Sequence, residues 1–160
     1  MRELTCPCCR RPCAETDEED GQNEMKRAEA NDLLTICQMG KRYAREGDYS
    51  SALEYFTRAA RSGYTDARFE FAAIFLKGQG VEKDRNKALN HWEEAAIGGH
   101  PQARHNLGIH EKQNDNIERA VKHFIIAANL GWDDSLKLLR ACYADREWGR
   151  DLWQIAILMK

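Results

Sequence analysis

The sequence predicts an all-α chain folded as a right-handed α/α superhelix, a solenoid of stacked helical hairpins. Three alanine pairs carry that reading, each standing three residues before a glycine: Ala59-Ala60 with Gly63, Ala95-Ala96 with Gly99, and Ala127-Ala128 with Gly131. The steps between them are 36 and then 32 residues. Ala52, Ala88 and Ala120 keep the same steps, as do Phe56, Trp92 and Phe124. A self-similar period in this range, made of helix-forming residues, marks tandem helix pairs that bury their apolar faces only by stacking on neighbours.

Residues 1–29 stand apart from the repeats. Cys6-Pro7-Cys8-Cys9-Arg10 leads toward Glu15-Thr16-Asp17-Glu18-Glu19-Asp20, five of whose six residues are acidic. That run has no apolar face to bury, so it reads as a solvated linker or the start of a polar helix. The repeat core is expected to owe it nothing. The segment as a whole reads as disordered or as the remnant of a zinc finger, and the continuous helical pattern begins near Asn31.

The first hairpin is expected to pair helices over about 32–45 and 49–62. Leu33, Ile36, Cys37, Gly40, Tyr43 and Ala44 form one apolar stripe, and Gly47-Asp48 makes the tight turn. Ala52, Leu53, Phe56, Ala59 and Ala60 share a face of the second helix, which ends at Gly63 in the left-handed conformation glycine favours. The second hairpin reuses the plan: Ala67, Phe71, Ala72 and Phe75 take the places of Thr35, Met39, Gly40 and Tyr43. Its turn, residues 77–84, is four residues longer and accounts for the 36-residue step. Asp84 is placed to cap the following helix. The third hairpin returns to the short form, with Ala103, Leu107 and Gly108, a turn at Asn114-Asp115-Asn116, and then Ala120, Phe124, Ala127 and Ala128. Leu136, Leu139 and Tyr143 begin a fourth first-helix, and a helix over about 149–159 closes the stack. Gly40, Ala72, Gly108 and the alanine pairs mark close helix approaches, with Phe56, Trp92 and Phe124 filling the space beside them.

This plan divides the chain into residues 1–29, three and a half repeats over 30–148, and a capping helix over 149–160. A formal charge of −2 gives no general attraction to phosphate backbones, so nucleic acid is not expected as a partner. No apolar run approaches the ~20 residues a bilayer span needs, and residues 1–13 lack the apolar region of a secretory signal. An intracellular, cytoplasmic setting is expected, with cysteines as thiols or metal ligands rather than disulfides.

The stretch Leu76-Lys-Gly-Gln-Gly-Val-Glu-Lys-Asp84, followed by Lys87-Ala88, Trp92, Ala95-Ala96, Gly99-His100 and Ala103, resembles the Sel-one-like repeat, a relative of the tetratricopeptide repeat. The resemblance covers roughly residues 31–143. It implies an adaptor or scaffold binding other proteins, and no catalytic residue. Cys6, Pro7, Cys9 and Arg10 resemble the closing ligand pair of a RING- or MYND-like zinc finger. Only five residues precede Cys6, and none is Cys or His, so the first half of such a finger is missing.

The candidate sites follow from these readings. Cys6, Cys8, Cys9 and Cys13 are the metal candidates, because zinc takes four N or S ligands in a tetrahedron. Adjacent ligands chelate one ion poorly, so the cluster reads first as a truncated finger with weak or substoichiometric zinc. A ubiquitin-ligase component built on that finger is the alternative function. The five histidines between His91 and His123 read as caps and surface groups: His105 and His110 point about 140° apart on one helix. Cys37 and Cys142 read as small buried hydrophobes, and Glu82, Lys83 and Asp84 as solvated surface. In stacked hairpins the first helices line the concave face, which selects Lys41, Phe69, Ala73, His105, Ile109 and Lys112 as the protein-binding surface. Leu152, Ile155, Ala156 and Met159 are expected to pack on Leu136, Leu139 and Tyr143. Trp153 and Ile157 would then stay exposed and drive self-association.

Overall fold

The computed structural model describes residues 17–30 and 32–144. Among them the regular structure is entirely helical: α1 (Asp17–Glu29), α2 (Leu33–Glu46), α3 (Tyr49–Arg61), α4 (Thr65–Lys77), α5 (Arg85–Ile97), α6 (Pro101–Gln113), α7 (Ile117–Asn129) and α8 (Asp133–Ala144). The chain forms two compact units that meet in sequence between Ala59 and Ala60, within α3.

The core of the first unit comes from α2 and α3. Ile36, Cys37 and Met39 on one helix and Ala52, Phe56 and Ala59 on the other are all buried. The chain reverses through Gly47, whose φ of 87° suits glycine alone among ordinary residues. Asp48 then caps α3, accepting from the Ser51 amide at 3.1 Å. Tyr43 and Tyr55 stack across the pair at 5.3 Å.

Of the two readings open for the acidic run, a linker or the start of a polar helix, the structure takes the second. Helix α1 starts at Asp17, runs for 13 residues and is fastened to the first hairpin. Arg42 pairs with Glu24 at 2.5 Å. The Arg58 guanidinium donates to the Ala28 carbonyl at 2.6 Å, satisfying an acceptor that a helix C-terminus leaves without an intrahelical partner. Ala28 itself is only 3% exposed. These contacts reach α1 from α2 and α3, so no stripe within the segment announces them.

The second unit repeats the hairpin plan from α4 to α8. Its alanine–glycine register is built as the period demands: Gly63, Gly99 and Gly131 have φ of 84°, 87° and 89°. Their amides donate to the carbonyls of Ala60, Ala96 and Ala128 at 3.0, 3.1 and 3.0 Å. Two apolar clusters fill the unit. Ala95, Ala96, Ala103 and Leu107 pack with Phe69, Leu89 and Trp92. Ala120, Val121, Phe124 and Leu139 pack with Ile109, Ile117 and Leu138.

The aromatic column is not uniform. Phe56 and Phe124 are 1% and 0% exposed, whereas Trp92 is only half-buried. The reason lies in the residue in register opposite. A Cβ added to Gly40 would stand 2.7 Å from the Phe56 ring, and one added to Gly108 2.5 Å from the Phe124 ring, so both rings fill glycine's empty volume. Ala72, itself fully buried, holds that register position in the second hairpin, so the volume a glycine leaves to a ring is missing there while the indole needs more room. Leu139 is buried but Leu136 is 40% exposed. The side chains of Cys142 and Tyr143, the Cys6–Cys13 cluster and the helix expected over 149–159 lie outside the described residues.

Candidate protein-binding surface

The first helices of the second unit, α4, α6 and α8, are tied together by side chains that recur with the repeat. Phe69 stacks on His100 at 4.5 Å and 11°. His105 leans on Trp132 at 6.2 Å and 50°. Residues 69 and 105 are equivalents in the register, as are 100 and 132, so one contact is made twice with different rings. His100 also caps α6, its Nδ1 accepting from the Ala103 amide at 3.2 Å. An accepting Nδ1 leaves the proton on Nε2, which faces Asp66 at 3.6 Å.

Ser135 was not singled out by the sequence. It stands in the register column of Thr35, Ala67 and Ala103, all small and buried, and is itself fully buried. Its Oγ lies 2.7 Å from His105 Nδ1, joining α8 to α6. A serine beside a histidine at this distance has the spacing of a nucleophile and its base. Here no surface of the serine is open to a substrate, so the bond holds two helices together. The only signal in the sequence was a hydroxyl in a column otherwise filled by alanine and threonine.

Burial sets the electrostatics of three imidazole rings, His105 among them. His91 stacks on Phe71 at 5.1 Å and Phe75 at 5.5 Å. Burial holds its pKa below the ordinary histidine value, with Arg68 acting the same way and Glu94 opposing. His105 is lowered by burial against the pull of Asp134. His123 is lowered by burial and by Arg104 and Arg119, with Glu111 opposing. These are neutral packing groups. Among the described residues no three His, Cys, Asp or Glu side chains are grouped to hold a metal ion.

Of the surface expected from hairpin geometry, Lys41 lies on α2, Phe69 and Ala73 on α4, and His105, Ile109 and Lys112 on α6, each half-buried. Phe69 and His105 spend part of their surface on the inter-repeat contacts described above. Ile109 also borders a cleft of about 350 Å³ in the second unit. Its walls come from α6, from Leu76 in the last turn of α4, from Lys83 in the long α4–α5 turn, and from Arg85 and Trp92 on α5. The sequence reading took this charged turn as solvated surface. The four-residue extension is visible in the sequence, but the place of Lys83 on the cleft depends on α6 standing opposite.

Comparison with known proteins agrees with the repeat register. The Sel1 repeat family model matches residues 36–64, 65–100 and 101–132. A curated mouse (Mus musculus) protein, DAP3-binding cell death enhancer 1, is 29% identical over an alignment of 92 residues, with coverage of 48% of this chain and 18% of that protein. The chain thus spans under a fifth of that relative's length. The crystal structure of c5321, a protective antigen of uropathogenic Escherichia coli with an SLR fold, superposes with a TM-score of 0.66 at 27% identity, covering 77% of this chain and 28% of that one. A Sel1 repeat protein from Oxalobacter formigenes superposes with a TM-score of 0.72 at 24% identity, covering 85% of this chain and 58% of that one. With three consecutive matches over more than half its length, the chain belongs to the Sel1 repeat family.

Proposed function

We propose that this chain is a protein-interaction scaffold that docks a partner on the first-helix faces of its repeats and performs no catalysis. Three tandem Sel1 repeats over residues 36–132 carry the reading, because such repeats mediate contacts between proteins. The proposed docking residues are Lys41 on α2 in the first unit, and Phe69, Ala73, His105, Ile109 and Lys112 on α4 and α6 in the second. The buried His105–Ser135 pair supports a non-catalytic reading, since its serine has no open surface. The mouse relative carries binding of DAP3 in its name. For this chain the proposal is confined to a protein partner.

The family match begins at residue 36 and lends nothing to the ubiquitin-ligase alternative, which rests on Cys6, Cys8, Cys9 and Cys13. Those cysteines are proposed to bind zinc weakly or substoichiometrically, and elemental analysis of protein purified without chelators tests this. None of the described helices is long and apolar enough to cross a membrane. A cytoplasmic location and self-association through Trp153 and Ile157 belong to the same proposal.

The test is affinity capture from native cells followed by mass spectrometry, run with the wild-type chain and with I109D/K112E. Partners held by the wild type and released by the variant are expected. Equal capture by both would move the docking surface away from α6.

A further inference from the structure

The cleft between the long α4–α5 turn and α6 is preorganised by backbone bonds rather than by chance loop packing. The Gly78 and Gln79 amides donate to the Ile74 carbonyl at 2.9 and 3.2 Å, and the Asp84 amide to the Phe75 carbonyl at 3.0 Å. Gly78, with φ of 70°, lies so close to Lys83 that a Cβ there would stand 3.2 Å from the Lys83 Cβ. The turn therefore fixes where Lys83 leaves the backbone, and the start of α5 fixes Arg85.

The chemistry of the walls is one-sided. Among the described residues no carboxylate lines the cleft. Arg85 meets the neutral Gln113 amide at 3.2 Å, and neither Lys83 nor Arg85 enters an ion pair among the described residues. Asp84 stands between them in sequence, but its carboxylate is committed to the α5 cap, accepting from the Lys87 amide at 3.0 Å and facing Lys87 Nζ at 3.6 Å. The indole N–H of Trp92, buried and without a hydrogen-bond partner, belongs to the same wall. Leu76 and Ile109 give the cleft its apolar sides. Its volume is at the small end of the ~300–1,000 Å³ typical of ligand sites, room for one or two side chains.

We infer that this cleft is a docking site for an acidic, amphipathic peptide segment of a partner protein. A carboxylate of the segment meets Lys83 and Arg85, and a neighbouring bulky apolar side chain lies against Leu76, Trp92 and Ile109. Charge complementarity selects this occupant, because cations on the rim of an apolar pocket favour a partner carrying both features. The inference rests on the scaffold reading and adds the partner's chemistry to it.

The experiment selects phage-displayed random heptapeptides on the whole chain, then measures synthetic copies of the enriched sequences by fluorescence polarisation. Enrichment of Asp or Glu beside Leu, Phe or Trp is expected. Binding should weaken about tenfold or more on K83E/R85E, and likewise when the peptide's acidic residues become their amides. Circular dichroism checks the fold of the variant, with K83Q/R85Q as the milder substitute. Inorganic phosphate should compete no better than potassium chloride of equal ionic strength. Failure to enrich any sequence, a neutral or basic consensus, unchanged binding to K83E/R85E, or full competition specific to phosphate would each overturn the proposal. Cellular partners captured equally by the wild type and K83E/R85E would reject this cleft while leaving the scaffold reading intact.

Discussion

Gly108 on α6 and Phe124 on α7 are fitted to one another: a Cβ on the glycine would stand 2.5 Å from the Phe124 Cε1, and the ring is fully buried. Gly40 and Phe56 make the same fit two repeats earlier, at 2.7 Å. A helix-interior glycine is unfavourable by about 1 kcal/mol against alanine. Both positions keep glycine because the neighbouring ring needs its volume.

Gly108→Ala should therefore destabilise the chain by about 1–3 kcal/mol despite its better helix propensity. Phe124→Leu in the same chain should recover much of that loss, since a smaller side chain relieves the overlap. Chemical denaturation of the single and double variants measures the coupling. A stabilised Gly108→Ala would show that the two helices separate freely.

Ser135→Ala tests the link between α8 and α6. Alanine suits the column, as Ala67 and Ala103 show, so packing should survive. His105 Nδ1 then loses its partner, and a cost of about 1–2 kcal/mol is expected. Ser135→Thr should be milder if the hydroxyl finds the same nitrogen. Thermal melting compares the three proteins.

Acidification should weaken the fold before carboxylates titrate. Burial lowers the pKa of His91, His105 and His123, so the folded chain holds them neutral. Unfolded histidine protonates near ~6.5. Between the folded and unfolded values the unfolded chain binds more protons, so stability rises with pH there. This contribution is complete above about pH 6.5 and is lost as pH falls below it. Asp32, Asp48, Asp84 and Asp134 are held low by hydrogen bonds, that on Asp134 coming from Lys137, and their contribution is lost only in the lower carboxylate range. Melting temperatures should fall between about pH 7.5 and pH 5.5. The fall should shrink in His91→Phe, which keeps a ring between Phe71 and Phe75.

Deleting residues 1–29 should lower stability by about 1–2 kcal/mol, because Arg58 loses the Ala28 carbonyl and the burial of Ala28 is undone. The Arg42–Glu24 pair is partly exposed on both sides and adds little. Denaturation of full-length and shortened chains decides the matter; identical midpoints would return the segment to the role of a solvated tail.

The repeat fold was legible in the sequence because its causes are local and periodic. Alanine pairs before Gly63, Gly99 and Gly131, the caps at Asp84 and His100, and the glycine–ring spacing each act within a hairpin or its turn, so their chemistry recurs at a fixed step. The protein-interaction class followed from that period. What only the tertiary structure decided depends on which residue stands opposite. Polar α1 is fastened by residues of α2 and α3, and Trp92 parts from Phe56 and Phe124 because Ala72 holds the slot that glycine leaves empty. Ser135 and His105 meet across two helices thirty positions apart in sequence. Lys83 reads along the chain as a solvated turn charge and is indeed exposed, but the cleft it borders with Arg85 comes into being only where the inserted turn faces α6. Sequence spacing encodes what a segment does to itself; contacts between helices depend on three-dimensional neighbours that no single window contains.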